Sequence, residues 1–320
     1  MTAAQREPRH VPLVHLIRDG MIEGVHHGSV VILAPDGSTL FAAGDPDVAT
    51  YPRSTAKPLQ ATAMARLGLR PGPAGFAIAA ASHSGEPRHL AAAADVLAGH
   101  GCTEGDLRNP VDFPFDPVER DGWVAAGRGP SRLAHNCSGK HAAMLATCRE
   151  RGWDVETCLD PAHPLQQAIR ETVEDLTGDA VARVAVDGCG APLFAVSLRG
   201  LARAVSRIAS APEETPEGLV AQGIRQRPDL VAGTRRDVTR LMRAVPGLIA
   251  KDGFEAVQLA ALPDGTAVAL KIADGGDRAR PAVLAAALSH AGVDGEALAS
   301  LRDPALRVTG ELATPWPADE

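Results

Sequence analysis

A serine and a lysine stand three residues apart in the segment Arg53-Ser54-Thr55-Ala56-Lys57-Pro58. If this segment begins a helix, Ser54 and Lys57 project from one face and can touch. A serine hydroxyl is a poor nucleophile until a neighbouring base takes its proton, and a neutral lysine amine can be that base. The alternative is a helix-capping serine beside a solvated lysine. The spacing therefore predicts either a Ser-Lys nucleophile or an ordinary helix start.

The scarcity of lysine makes each lysine a candidate for acid-base chemistry. Of the 32 basic residues, the lysines are only those at positions 57, 140, 251 and 271. Arginine stays charged in proteins, whereas lysine loses its proton more readily when buried. Lys271 lies in an apolar run, where a buried ammonium needs a partner. We expect Lys271 to point at Ser54; the alternative is a lysine that protects an exposed sheet edge.

A third polar segment, Ala81-Ser82-His83-Ser84-Gly85-Glu86, follows a run of small apolar residues. Ser82 in this position can complete a proton relay between lysines or donate a hydrogen bond to a developing oxyanion. The alternative is a polar loop that caps the next helix.

Two glycine-containing turns, at 135–141 and 187–192, each hold one cysteine among polar residues. Cys137 and Cys189, with a neighbouring histidine or a neutral Lys140, make a set of soft ligands for which zinc is the first candidate. The alternative is two reduced thiols that line a polar pocket, because an odd number of cysteines does not indicate a disulfide framework. Gly188 and Gly190 indicate close approach of the backbone to a ligand.

These segments need a scaffold that brings the two ends of the chain together. Strand-like runs occupy 11–43 and return near the C-terminal end as a hairpin around Pro263-Asp264-Gly265. The middle, about 54–245, is predicted to be helical, including 163–178 and 192–211. This order predicts a mixed α/β fold of the α+β type, with one antiparallel sheet from the N- and C-terminal strands and helices packed around it. We expect a flexible tail at 1–10, one catalytic domain at 11–305 and a C-terminal tail at 306–320.

Composition excludes several classes of protein. The 320-residue chain is 45% hydrophobic and 22% charged, which excludes a disordered protein. No stretch approaches roughly 18 consecutive apolar residues, and the N-terminus lacks a secretory pattern, so we expect a cytoplasmic protein without membrane contact. A net charge of −7 and 3% aromatic residues argue against nucleic-acid binding. The expected partner is a small molecule, and no organic cofactor is expected.

Five strings occur in the order PRSTAKPLQA, ASHSGEPRH, HNCSGKHAAMLA, DGCGAPLFAVSL and ALKIADG. Together they resemble the rhizobial-type L-asparaginase family, also called asparaginase II-like or class 3, over nearly the whole chain. The resemblance implies a fold related to serine β-lactamases and glutaminases. It also implies hydrolysis of the side-chain amide of L-asparagine to L-aspartate and ammonia, through a Ser-Lys mechanism with an acyl-enzyme intermediate. A homodimer is the expected assembly.

The resemblance also assigns roles to single residues. The residues that match its two catalytic Ser-Lys pairs are Ser54, Lys57, Ser82 and Lys271. The residues that match its metal site, implying one zinc ion per chain with water as the last ligand, are Cys137, Lys140 and Cys189. The expected substrate-binding residues are Arg53, His135, Asn136, Asp187 and Gly188. Thr55 departs from the family, which often has a second serine there.

Two other functions fit the same residues. One is a Ser-Lys amidohydrolase that acts on glutamine or a β-lactam. The other is an amino-acid-binding or sensing module that keeps the pocket without turnover. An ammonia-release assay with asparagine, glutamine and a chromogenic β-lactam separates the three.

Overall fold

The computed structural model describes residues 6–313. Its strands, numbered along the chain, are β1 (Val11–Arg18), β2 (Met21–Leu33), β3 (Thr39–Ala43), β4 (Ala49–Thr50), β5 (Arg183–Val186), β6 (Pro192–Ser197), β7 (Ile249–Gly253), β8 (Val257–Ala261), β9 (Ala267–Ile272) and β10 (Leu306–Val308). Its α-helices are α1 (Lys57–Arg66), α2 (Gly72–Ala79), α3 (Pro87–Gly99), α4 (Pro117–Ala125), α5 (Ser138–Arg151), α6 (Pro164–Thr177), α7 (Leu198–Ala209), α8 (Pro216–Gln226), α9 (Pro228–Val231), α10 (Asp237–Ala244) and α11 (Arg280–His290).

The N- and C-terminal strands form one antiparallel sheet, as the sequence predicts. The strand order is β10-β1-β2-β9-β8-β7, and β3 also pairs with β2. The junction between the two ends of the chain is the β2–β9 pair, in which Ser29 lies opposite Lys271. Residues 30–33 of β2 are almost completely buried, because helices cover this part of the sheet. The mixed α/β fold with an antiparallel sheet and packed helices is confirmed.

Small residues let the helices of the middle approach closely. Gly139 of α5 is one such position, since a Cβ atom there would lie 2.3 Å from the carbonyl oxygen of Ile78 in α2. The backbones of α5 and α2 therefore touch at this point. The contact fixes the start of α5 against α2, and the start of α5 carries Lys140.

The middle of the chain is less helical than predicted. Residues 192–211 are not one helix, because β6 precedes α7, and β6 lies between β4 and β5 in a second, three-stranded sheet. Every residue of β6 is buried. A strand buried on both faces lacks the polar-apolar alternation that distinguishes a strand from a helix, which explains the error.

The predicted C-terminal tail is wrong at its start. Leu306–Val308 forms strand β10, which pairs with β1. At the other end, Arg6 within the predicted N-terminal tail forms an ion pair with Asp45. Residues 1–5 and 314–320 of the two predicted tails lie outside the described residues. Within 6–313, no helix is long and apolar enough to cross a membrane.

Strand β7 is the element that matters most for the site and that the sequence analysis does not identify. It is the last strand of the large sheet, so one of its edges faces the 3-10 turn Arg53–Ala56. A Cβ atom on Gly253 would lie 3.2 Å from the backbone nitrogen of Ser54. The end of β7 therefore passes directly beside Ser54.

Candidate active site

Ser54 lies in the 3-10 turn that leads into α1, at the wall of a cleft of about 280 Å³. Ser82 and Asn136 line the same cleft. Ser54 is only 5% exposed, and its hydroxyl makes no hydrogen bond to any of residues 6–313. The structure therefore brings three of the predicted site residues to one cleft and leaves one serine hydroxyl uncommitted.

Lys57 is buried and contacts Ser82 through its ammonium group. The Lys57 Nζ donates to Ser82 Oγ at 2.9 Å, to the carbonyl oxygen of Ala81 at 2.5 Å and to Cys137 Sγ at 3.1 Å. These three bonds use all three protons of the ammonium group. The expected direct contact between Lys57 and Ser54 is therefore not a hydrogen bond in this structure, because the side chain turns toward the 81–82 segment.

The structure does not bring Lys271, predicted to lie beside Ser54 and Ser82, into hydrogen-bond contact with either serine. Its ammonium group donates to the carbonyl oxygens of Glu255, at 2.8 Å, and Ile272, at 3.2 Å, and makes no hydrogen bond to either serine. The reason is strand order, since β8 and β7 stand between β9 and the Ser54 turn. Neighbouring strands lie about 4.8 Å apart, so Lys271 starts roughly 10 Å from β7.

Another lysine, Lys251, lies in β7, the strand that packs against the Ser54 turn. It is 1% exposed, and its Nζ donates to the carbonyl oxygen and to Oδ1 of Asp252, at 2.5 and 2.9 Å. Burial and the positive charge of Lys57 lower the pKa of Lys251 to about 8, although the negative charge of Asp252 opposes this shift. The only sequence signal for this residue is a rare lysine at the end of an apolar run.

Asp252 connects Lys251 to an arginine at the rim of the cleft. One carboxylate oxygen accepts from Lys251, and the other pairs with the guanidinium group of Arg236. Although burial opposes it, the charges of Lys251 and Arg236 lower the pKa of Asp252 far below its usual range. Asp252 is therefore a carboxylate that holds two cations from different elements.

The two cysteine turns meet as expected. Lys140 Nζ donates to Cys189 Sγ at 3.0 Å, and Cys137 Sγ lies 3.2 Å from Asn136 Oδ1. A hydrogen bond from Cys137, followed by the charge of Lys140, lowers the pKa of Cys189 well below its usual range, and the same hydrogen bond raises that of Cys137. Although burial opposes it, the Cys189 charge raises the pKa of Lys140. Both shifts favour the charged forms, an ammonium at Lys140 and a thiolate at Cys189.

The chemistry of these donors fits a soft metal only if the lysine takes part. Within residues 6–313, no three histidine, cysteine or acidic side chains converge as a metal site. Cys137, Cys189 and Lys140 supply two sulfur atoms and one amine in contact, and sulfur and nitrogen are the ligands that zinc prefers. His141 is the nearest other nitrogen ligand; its Nε2 is buried without a partner, and burial lowers its pKa to about 4.

The predicted substrate-binding residues surround this arrangement. Arg53 Nε donates to Asp187 Oδ1 at 2.9 Å, and His135 Nδ1 accepts from the backbone nitrogen of Cys137 at 3.0 Å. A Cβ atom on Gly188 would meet nothing within 4 Å, so open space adjoins it. Gly190 has φ +85°, a backbone conformation that favours glycine, and this accounts for a glycine at position 190.

Backbone strain is concentrated at the cleft. In residues 6–313, the non-glycine residues with positive φ are Asp19, Arg53, Glu255 and Ala256. Arg53 precedes Ser54, and Glu255 and Ala256 both line the cleft. Such conformations cost about 1–3 kcal/mol each and cluster at functional sites. The strain supports this cleft as the functional site.

A family model described as L-asparaginase II matches residues 14–313. The chain belongs to the L-asparaginase II family. Membership makes it a hydrolase of the asparaginase type, and it confirms the family resemblance seen in the sequence strings. The comparison with curated proteins gives no match.

Three solved structures are distantly similar to this L-asparaginase II family chain. A β-lactamase from Mycobacterium bovis has a TM-score of 0.43 and 17% identity over 81% of this chain and 94% of its own. Mglu in its native form has a TM-score of 0.39 and 14% identity, over 87% of this chain and 66% of its own. EstCE1, a hydrolase with promiscuous acyltransferase activity, has a TM-score of 0.42 and 12% identity, over 86% of this chain and 92% of its own. Similarities this low carry no argument about fold or function.

Proposed function

We propose that this member of the L-asparaginase II family hydrolyses the side-chain amide of L-asparagine to L-aspartate and ammonia, with Ser54 as the nucleophile. The observation that carries the proposal is the Ser54 hydroxyl, which lines a cleft and makes no hydrogen bond to any of residues 6–313. The buried Lys57 follows it by one helical turn, and the buried Lys251 lies in β7, the strand that packs against the Ser54 turn. In a family of asparaginase type, a serine in this position needs a neighbouring base and a way to protonate the leaving amine.

The proposed reaction has two steps. Ser54 Oγ bonds to the amide carbon and its proton moves to a neutral lysine amine; the C–N bond then breaks, and the lysine returns the proton to the departing ammonia. Water attacks the resulting aspartyl ester, releases aspartate and restores the serine. We assign the base to Lys251, because its pKa of about 8 leaves a substantial neutral fraction near neutral pH. Lys251 therefore replaces Lys271 as the second lysine.

Lys57 and Ser82 have a supporting part in this proposal. All three protons of the Lys57 ammonium group are donated, one of them to Ser82. These bonds hold the Lys57 ammonium group in place, and a fixed cation next to Ser82 would favour negative charge developing on the substrate oxygen. Ser82 Oγ, with its lone pairs partly used by Lys57, is free to donate its own proton into the cleft.

We also propose one zinc ion per chain, held by Cys137, Cys189 and Lys140. The support is the contact of Lys140 with Cys189 together with the hydrogen bond between Cys189 and Cys137. Zinc so bound would supply a Lewis-acidic charge beside the substrate pocket. The protein residues would lose protons on binding, because thiolate and neutral amine are the ligating forms. The homodimer and the cytoplasmic location stay predictions.

The decisive experiment compares two serine variants in an ammonia-release assay with L-asparagine. Ser54→Ala is expected to lose activity by about 10³-fold or more, as when a nucleophile is removed. Ser84→Ala is the matched control, because Ser84 is a buried serine of the neighbouring segment whose Oγ has no hydrogen-bond partner within 6–313. Parallel assays with glutamine and a chromogenic β-lactam test the other substrates. Near-normal turnover by a folded Ser54→Ala variant contradicts the proposal.

A further inference from the structure

Two exposed phenylalanines meet above the candidate active site. Phe115 is 37% exposed and Phe254 is 52% exposed. Their rings pack edge to face, with centroids 6.0 Å apart and an interplanar angle of 79°. Phe115 belongs to the loop before α4, and Phe254 directly follows β7, so the two rings come from different segments of the chain. Both line that cleft.

An arginine stacks on each ring at its outer side. The guanidinium carbon of Arg236 lies 5.1 Å from the Phe115 ring centroid, and that of Arg53 lies 5.7 Å from the Phe254 ring centroid. Both arginines are themselves held by ion pairs, to Asp252 and Asp187 respectively. The result is a continuous bridge across the cleft, Arg236–Phe115–Phe254–Arg53, which is anchored at both ends.

The backbone beside Phe254 is held in an unusual conformation. Glu255 has φ +62° and Ala256 has φ +49°, in the left-handed region that non-glycine residues rarely adopt. This turn carries the chain from β7 into β8 and presents Phe254 at the cleft. Large apolar side chains gain free energy by burial, so an exposed pair in a chain with 3% aromatic residues indicates a use at the surface.

We propose that Phe115 and Phe254 determine substrate specificity by closing the cleft above Ser54 to amides larger than that of a single free amino acid. This inference rests on the proposed function and names its substrate class as small, unsubstituted amides. The cleft of about 280 Å³ lies below the roughly 300–1,000 Å³ of sites that hold drug-sized ligands. Removing either ring opens the cleft without touching Ser54 or either buried lysine.

The first test compares two substrates that share one acyl group. The variants are Phe115→Ala, Phe254→Ala and the double variant, and the substrates are L-asparagine and the β-anilide of L-aspartate. We expect the ratio of kcat/KM for the anilide to that for asparagine to rise at least tenfold in the double variant. The control is Trp123→Ala, since Trp123 also stacks with an arginine, Arg128 at 4.8 Å, but does not line this cleft. A ratio within twofold of the parent value overturns the proposal.

A second test does not need asparagine turnover. Sulfonyl fluorides react with a nucleophilic serine by forming an Oγ–S bond and releasing fluoride, and the reaction is followed at Ser54 by mass spectrometry. The double variant is expected to react at least tenfold faster with phenylmethanesulfonyl fluoride, relative to the small methanesulfonyl fluoride, than the parent does. An unchanged ratio, or no labelling of Ser54 by the larger reagent in the double variant, overturns the proposed role of Phe115 and Phe254. Absence of asparagine hydrolysis by the parent instead overturns the proposed function.

Discussion

Lys57 donates a hydrogen bond of 2.9 Å to Ser82, which is 25 residues away in the sequence, and none to Ser54, which is three residues away. The bond joins α1 to the segment after α2, and the same ammonium group also donates to Cys137 Sγ. Ser54 is thereby left with a free hydroxyl facing the cleft. This division of contacts separates the serine that is held from the serine that is available to react.

Lys251 and Lys271 are expected to differ sharply when each is replaced by methionine. Lys251→Met should lower kcat for asparagine hydrolysis by about 10²–10⁴-fold, the range for loss of a general base. Lys271→Met removes hydrogen bonds to the carbonyl oxygens of Glu255 and Ile272 but none to Ser54 or Ser82, and should change kcat less than tenfold. Steady-state kinetics of both variants, with folding checked by circular dichroism, decide between them. A larger loss in Lys271→Met would restore Lys271 as the second lysine.

The rate of asparagine hydrolysis is expected to rise with pH through about 8. The base must be neutral, and the neutral fraction of Lys251 grows as pH passes its lowered pKa of about 8. The charged groups that act on Lys251 are Asp252 in the same strand, Lys57 at the start of α1 and Arg236 before α10. A kcat/KM profile that is flat from pH 6.5 to 9.5 would contradict this assignment.

Replacing Asp252 and replacing its partner Arg236 should shift the pH dependence of the rate in opposite directions. Asp252→Asn removes the charge that stabilises the Lys251 ammonium group, so the rise moves to lower pH by roughly one unit or more. Arg236→Gln removes a like charge, so the rise moves to higher pH. The exposed Asp121→Asn on α4 is the control and should leave the profile unchanged. Shifts in the same direction for both variants would show that Asp252 does not set the protonation of Lys251.

Zinc content should depend on two of the five cysteines. Cys137→Ser and Cys189→Ser are each expected to reduce the zinc bound per chain to well below half, measured by elemental analysis of unchelated protein. Cys148→Ser is the matched control, because Cys148 is also a buried cysteine but lies apart from Lys140. Equal zinc content in all three variants, or no zinc in the parent protein, would contradict the proposed site.

Two glycine-to-alanine changes in helices should alter stability with opposite signs. Gly139→Ala places a methyl group 2.3 Å from the Ile78 carbonyl oxygen, so it should destabilise the protein by about 1–3 kcal/mol. Gly122→Ala in α4 meets nothing within 4 Å and should stabilise it by about 0.4–1 kcal/mol. Urea unfolding measures both. An unchanged midpoint for Gly139→Ala would show that α5 can move away from α2 at little cost.

The sequence by itself determined the residue types that can do chemistry and the meeting of the two chain ends. The Ser54–Lys57 spacing, the two cysteine turns and the strand patterns near both termini are local signals, because side-chain periodicity and turn residues act over a few positions. The family strings added the activity. The cleft residues Ser54, Ser82 and Asn136 were therefore all predicted before the fold was known.

Only the tertiary structure decided which lysine-bearing strand packs against the Ser54 turn. Lys251 and Lys271 both lie in apolar strands near the C-terminal end, and nothing local in the sequence states which strand forms the edge of the sheet. Strand order assigns β7 to that edge and puts β9 two strands away, which at about 4.8 Å per strand removes Lys271 from hydrogen-bonding distance. The Phe115–Phe254 contact has the same origin. Its two rings are 139 positions apart in the sequence and meet because two chain segments face each other across one cleft.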